Sequence, residues 1–145
     1  MSRKLSFKEQ VQRNTVALIS LVVAVTSLAY NTWRNEASEH NRNQRLVAIE
    51  VLLMSADLQQ LTLDSHYGKN IDADGILRAG WTKVLTIHDL SKIAAGVVPE
   101  SATNLYEVWN ADYDELESNV KAKDRIIAAL EQVRRDTHDL LQSLD

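Results

Sequence analysis

Acidic side chains and histidines are the residues of this chain that could support catalysis or metal binding. The densest acidic group is Asp112, Asp114, Glu115 and Glu117, and the four histidines are scattered along the chain. A run of acids in a helical segment is typical of a solvated face rather than of an acid–base site. The sequence contains no phosphate-binding glycine loop, nucleophile elbow or His–Glu metalloprotease helix. We therefore expect no enzymatic activity and no cofactor.

A metal-binding interpretation arises in a polar segment near the middle of the chain. Its alternating oxygen side chains at Asn70, Asp72 and Asp74, followed by a glycine, resemble the first half of an EF-hand calcium loop. Trp81 occupies the position of the bidentate glutamate, so the strongest ligand is missing. We expect an acidic turn in which Asp74 caps the next helix. A weak divalent-cation site at Asn70–Asp74 is the alternative.

The segment Thr15–Trp33 predicts a single membrane-spanning anchor helix. It contains no charged residue, no proline and no glycine. A helix of about 19 residues reaches roughly 28 Å, close to the thickness of the bilayer hydrocarbon. Tyr30, Trp33 and Arg34 close the segment with side chains suited to the membrane interface.

Small and polar residues form one stripe along this helix, at spacings of three and four: Ala17, Ser20, Ala24, Ser27 and Asn31. In lipid, small side chains allow close approach between helices and hydroxyl groups bond across them. The stripe predicts packing against another membrane protein or against a second copy of the chain. The alternative is a chance pattern, because small residues are common in any membrane helix.

Basic residues flank the apolar run, with four before it and three soon after: Arg3, Lys4, Lys8 and Arg13, then Arg34, Arg42 and Arg45. The positive-inside rule favours a cytoplasmic N-terminus and an extracytoplasmic domain. A cleaved signal peptide is the alternative interpretation, since Ser27-Leu28-Ala29 provides a small-x-small site. Both interpretations put the following domain on the same side of the membrane.

Composition restricts the remainder of the chain. Four of the 16 basic residues but only one of the 20 acidic residues precede Thr15, so the residues after the span are acidic in balance and poor candidates for nucleic-acid binding. The chain has no cysteine, which excludes disulfides and thiolate metal ligands. One proline and four glycines among 145 residues favour helix nearly throughout.

These patterns predict an all-α protein in which a single N-terminal transmembrane helix continues into an antiparallel helical bundle of the four-helix type. Residues 1–14 form a basic cytoplasmic leader, 15–33 the anchor and 34–145 the acidic bundle. Its helices are expected at about 34–67, 76–95, 99–117 and 120–144, with Gly68 as a left-handed cap.

Two helices of the predicted bundle carry clear apolar periodicity. After a polar stretch, apolar residues resume where the first helix is expected to enter the domain, at Leu46, Ile49, Leu53, Ala56, Leu61 and Leu63. The last helix places a coiled-coil-like seam at Ile126, Leu130, Val133, Thr137, Leu140 and Leu144. The seam on the last helix spans about three heptads, so a bundle helix explains it equally well.

Aromatic residues and one histidine recur at helical spacing in the second and third bundle helices: Trp81, His88, Tyr106, Trp109 and Tyr113. They could contact a ligand or a partner, since Tyr and Trp are enriched at interfaces. The alternative is that the aromatics pack in the core against Trp81. A close helix crossing is predicted at Gly80, beside that tryptophan.

The opening span, the juxtamembrane sequence Tyr30-Asn-Thr-Trp33-Arg34-Asn35-Glu36 and the short helical domain resemble small single-pass bacterial inner-membrane proteins of no assigned function. The resemblance covers the first third of the chain and implies the inner (plasma) membrane, with the domain in the periplasm. Our first hypothesis is a non-enzymatic accessory or assembly subunit of a membrane protein complex. The second is an extracytoplasmic sensor or ligand-binding module that acts through self-association.

Overall fold

The computed structural model describes residues 7–68 and 73–144. Within those residues the chain is 91% helical and contains no strands, so the prediction of an all-helical chain is confirmed. The four α-helices pack against each other. They are α1 (Phe7–Tyr67), α2 (Ala73–Ser91), α3 (Val98–Asp112) and α4 (Val120–Ser143), with a short 3-10 turn at Tyr113–Glu115 between the last two.

The described residues divide into two compact units at His40. The first unit consists of residues of α1 alone. The second unit begins at Asn41 and contains the rest of α1 with α2, α3 and α4. The predicted span therefore belongs to the first unit, and the predicted core belongs to the second.

The core of the second unit is built from apolar side chains of all four helices. Its fully buried members include Val51, Leu58, Ile87, Leu105, Trp109, Ile126 and Leu130. Five residues of the seam predicted on α4, from Ile126 to Leu140, are buried, and Leu144 is half-buried. This seam is accounted for inside the chain's own bundle.

The end of α2 differs from the sequence expectation, which carried the helix to Ala95. The helix ends at Ser91, and a turn leads to Gly96, whose φ of 71° is left-handed. The side chain of Gln44, from α1, donates to the Ile93 carbonyl at 2.9 Å and accepts from the Ala95 N–H at 2.8 Å. These bonds satisfy backbone groups of the turn without further helix. Gly96 is a left-handed glycine. At the end of α1 the N–H of Gly68 donates to the Asp64 carbonyl at 2.8 Å, and the left-handed cap at Gly68 stays a prediction.

The connection from α3 to α4 is held by side chains rather than by glycine or proline. Asn119 caps α4, because its side-chain oxygen accepts from the N–H groups of Lys121 and Ala122. Nδ1 of His66, on α1, lies 2.8 Å from the Leu116 carbonyl oxygen.

Pro99 lies in the first turn of α3, as its missing N–H predicts.

A bidentate ion pair joins α4 to the end of α3. Arg125 donates through Nε and Nη2 to the two carboxylate oxygens of Asp112, at 2.7 and 2.5 Å, and the Asp112 side chain is only 7% exposed. These hydrogen bonds raise the pKa of Arg125 above its ordinary value. The fork geometry fixes both side chains in orientation, which a lysine could not do.

The C-terminal end of α1 is joined to the first turn of α4 by a side-chain hydrogen bond. Lys123 donates to the Tyr67 hydroxyl at 3.0 Å and pairs with Asp124 at 2.9 Å. The bond to Tyr67 first, and then the contact with Asp124, raise the pKa of Lys123 above its ordinary 10.5. Any stability from this pair is complete below pH 10.5 and is lost as the pH rises through the raised value.

Candidate functional site

The predicted span is a helical segment whose apolar side chains are exposed. Every large apolar residue from Val16 to Leu28 is at least 53% exposed, and Val16 reaches 74%. Among the described residues, one helix is long and apolar enough to cross a membrane, by length and composition. Its most apolar stretch has no buried residue.

The small and polar residues predicted to pack against another helix are all exposed: Ala17, Ser20, Ala24, Ser27 and Asn31. The hydroxyl of Ser20 donates to the Val16 carbonyl at 2.8 Å, one turn back in the same helix. This bond satisfies the hydroxyl even in apolar surroundings. The stripe is therefore available for contact and carries at least one polar group that tolerates burial.

The residues predicted to lie at the membrane interface are exposed as well. Tyr30 and Trp33 are 57% and 66% exposed, and their ring centroids are 6.2 Å apart with the planes tilted by 47°. Arg34 follows them directly and is exposed. The three side chains form an amphipathic group of the type found at headgroup level.

The aromatic residues predicted as ligand or partner contacts form one cluster centred on Trp81. The centroid of its ring lies 5.8 Å from that of Tyr106, 6.4 Å from that of Trp109 and 5.3 Å from that of Tyr113. Each contact has edge-to-face geometry. Trp109 is fully buried and the others are half-buried. Edge-to-face contacts stabilise a core beyond the area they bury. The cluster is therefore part of the core, as the alternative interpretation predicted.

His88 lies at the edge of this cluster. Its ring stacks on Tyr106 at 5.3 Å and 27°, its Nδ1 lies 3.8 Å from the Asp89 carboxylate, and its side chain is 24% exposed. Lys92 donates to Asp89 at 2.8 Å and lowers the pKa of that carboxyl. The histidine thus stands at the boundary between core and solvent.

α2 and α3 cross closely at the point where Gly80 lies against the ring of Trp109. A Cβ atom at Gly80 would overlap the outer ring atoms of Trp109, so the glycine creates the space that the indole fills. The predicted close crossing at Gly80 is confirmed. Among the described residues, the indole Nε1 of Trp109 is buried without a hydrogen-bond partner, and leaving such a donor unpaired is unfavourable. The packing of the ring has to offset this.

Two shallow depressions lie away from the aromatic cluster. One, of about 380 Å³, lies along α3 and is lined by residues including Pro99 and Glu107. The other, of about 410 Å³, lies between α3 and α4 and is lined by residues including Asn104, Arg125 and Arg135. Neither includes a residue predicted for ligand contact. Both arginines that line the second depression are paired within the chain, Arg125 with Asp112 and Arg135 with Glu131 at 3.9 Å.

The predicted cation loop at Asn70–Asp74 lies mostly outside the described residues. Asp74 is described, and it lies within the first turn of α2, which begins one residue earlier, rather than at a capping position. Across residues 7–68 and 73–144, no group of three or more His, Asp or Glu side chains is placed to hold a metal ion.

An exposed apolar surface not expected from the sequence lies on α1 in the second unit. We call it the outer face of α1, and it consists of Leu46, Ile49, Leu53, Ala56, Gln60 and Leu63. The first five are exposed and the last is half-buried. The expectation that the apolar members enter the bundle is wrong for Leu46, Ile49, Leu53 and Ala56, which are exposed. The core side of α1 consists instead of Ala48, Val51, Ser55, Leu58 and Thr62. Ser55 and Thr62 are polar, so a prediction from apolar character alone assigns the wrong side of α1 to the core.

The chain thus presents an exposed apolar helical segment, an acidic bundle whose aromatic residues fill its core, and a second apolar surface on α1. Comparison with protein-family models, with curated proteins and with solved structures finds no match for this chain.

Proposed function

We propose that this chain is a membrane-anchored, non-enzymatic interaction module that serves as an accessory or assembly subunit of a membrane protein complex. The observation that carries the proposal is the exposure of every large apolar side chain from Val16 to Leu28. A contiguous apolar surface of this kind is unfavourable in water and typical of contact with lipid or protein. The tyrosine and tryptophan that close the segment support an interface there.

We further propose that the bundle is antiparallel and of the four-helix type. Three contacts of α1 support this arrangement. Arg45, near the start of the bundle part of α1, donates to the carbonyl of Leu144 after the end of α4. Gln44 contacts the turn that follows α2. At the other end, Tyr67 accepts from Lys123 in the first turn of α4.

The small-residue stripe of the span is our proposed contact with a partner helix. Replacing Ala24 by phenylalanine is expected to abolish association, because a bulky side chain prevents close helix approach. The matched control is Val22→Phe, which lies roughly 160° away around the helix. The measurement is affinity purification of the full-length protein from mild detergent, with co-purifying chains quantified.

A stoichiometric membrane partner that Ala24→Phe releases and Val22→Phe retains supports the accessory-subunit proposal. Equal retention by both variants rules out the stripe as the contact. Recovery of the chain without any other protein contradicts the accessory role itself.

For orientation, we propose a cytoplasmic N-terminus and a periplasmic domain in a bacterial inner membrane, supported by the basic residues that precede the span. The chain has no cysteine, so one introduced thiol reports its own location. We expect Gln142→Cys, on an exposed site of α4, to react with a membrane-impermeant maleimide in spheroplasts. Ser2→Cys should react only after the membrane is permeabilised. The reverse pattern of labelling contradicts this orientation.

A further inference from the structure

Within the second unit, α1 is apolar on two opposite sides. Leu46, Ile49 and Leu53 on the outer face are 58%, 49% and 55% exposed, whereas Val51 and Leu58 are fully buried. Positions two residues apart on an α-helix are separated by roughly 200°. The outer face is therefore directed away from the core. A helix with apolar residues on both sides has more than its own bundle can bury.

The outer face has the spacing of a coiled-coil seam. Its six residues follow one another at intervals of three, four, three, four and three. In heptad terms Leu46, Leu53 and Gln60 occupy a positions, and Ile49, Ala56 and Leu63 occupy d positions. This repeat packs two or more helices side by side along a shallow left-handed supercoil. We propose that the outer face of α1 binds a second copy of this chain, parallel and in register.

Gln60 favours a second copy over an unrelated helix. In a parallel pair in register, each a residue meets its own equivalent, so Gln60 meets Gln60 and two amides can hydrogen-bond to each other. In an antiparallel pair the a residues meet d residues, which are all apolar here, so the same amide would lose that partner. A single polar a residue therefore selects both the register and the parallel orientation.

The charges beside the seam are complementary in the same arrangement. Arg45 lies at a g position and Glu50 at the e position five residues later, and both are exposed. In a parallel pair the g side chain of one helix faces the following e side chain of the other. Arg45 of each copy then faces Glu50 of the other, on both sides of the seam. Asp57 and Asp64, the other e residues, face the uncharged Leu52 and Gln59, so no like charges meet.

This inference goes beyond the proposed function and does not depend on it. It uses a surface of the second unit, whereas the accessory role rests on residues of the span. The partner is the chain itself, so a purified preparation suffices to test it.

The test is the polypeptide mass of the purified full-length protein in detergent, by light scattering that subtracts the bound detergent. We expect a multiple of the 16.3 kDa chain. Leu at a with Ile at d also suits parallel assemblies of more than two helices, so the mass gives the number of copies. Leu53→Glu is expected to reduce the mass to a single chain, because it sets like charges opposite each other in the centre of the seam.

Leu85→Glu is the matched control, since Leu85 is an exposed leucine (45%) of α2 outside the outer face. It should keep the oligomer, and both variants should keep the helical circular-dichroism signal and melting temperature. A single-chain mass for the unsubstituted protein overturns the proposal. An oligomer that survives Leu53→Glu also overturns it, because the contact then lies elsewhere.

Register is tested by cross-linking, again with the absence of native cysteine as the advantage. Ile49→Cys places a thiol at a d position that meets its equivalent in a parallel pair, and mild oxidation should give a disulfide-linked dimer in high yield. Leu85→Cys should remain largely uncross-linked. Equal yields from the two variants contradict parallel pairing through the outer face.

Discussion

Replacing Trp109 by alanine is expected to lower the free energy of unfolding by about 3 to 5 kcal/mol, the range for removing a large aromatic side chain from a core. Trp109 is fully buried, contacts Trp81 and fills the space above Gly80. Truncation leaves a cavity that the rigid helix crossing cannot close. The measurement is urea unfolding of the full-length protein in detergent, followed by circular dichroism at 222 nm.

Trp33→Ala is the matched control, because Trp33 is the same residue type but 66% exposed in the first unit. Its substitution should leave the unfolding of the bundle within about 0.5 kcal/mol of the original. A similar loss of stability in both variants would contradict the role of Trp109 as the centre of the core.

Gly80 provides a sharper test of the same packing. Alanine is favoured over glycine in a helix by about 1 kcal/mol, but its Cβ would overlap the Trp109 ring. Gly80→Ala should therefore destabilise the unsubstituted chain by about 1 to 3 kcal/mol. In the Trp109→Ala background the overlap is gone, so the same substitution should stabilise. This change of sign identifies the contact between the two residues as the cause, and its absence would refute the close crossing.

Introducing two arginines into the apolar segment is expected to move the protein from the membrane fraction to the soluble or aggregated fraction. Leu21 and Val25 lie one turn apart near the middle of the segment and are 60% and 57% exposed. Each arginine at the centre of a span disfavours insertion by about 2.5 to 3.5 kcal/mol. The measurement is carbonate extraction of membranes followed by quantification of the full-length chain in pellet and supernatant.

The control for this experiment is a pair of arginines at Ile93 and Val120, which are 62% and 54% exposed in the second unit. That variant should stay in the membrane pellet. If the original protein is already extracted by carbonate, or if Leu21→Arg with Val25→Arg remains in the pellet, the segment is not the anchor.

Residue types alone are enough to predict that this chain is helical and to locate its apolar segment. Two turn-forming residues, Gly96 and Pro99, mark the break between α2 and α3, and the charge-free run before Trp33 is legible from residue types alone. The seam on α4 was also readable, because that helix has one apolar side and a polar remainder. Periodicity is a local property, so it survives without any knowledge of neighbours.

The side of α1 that meets the core is visible only once the helices are packed. The more apolar side carries Leu46, Ile49 and Leu53, yet the buried side includes Ser55 and Thr62. Their hydroxyls donate to the carbonyls of Val51 and Leu58, one turn back, so the two side chains can be buried without an unpaired polar group. A local pattern cannot show this choice, because it depends on the shape of the facing helices.

The turns that follow α2 and α3 are held by residues far away along the chain. Gln44 bonds the turn after α2 and His66 contacts the turn after α3, although each is about 50 positions away in the chain. The aromatic cluster also depends on tertiary packing, since Gly80 and Trp109 meet only when α2 and α3 are packed together. Residue types left both a core and a site open at these positions, and the packing of the indole against glycine makes it a core.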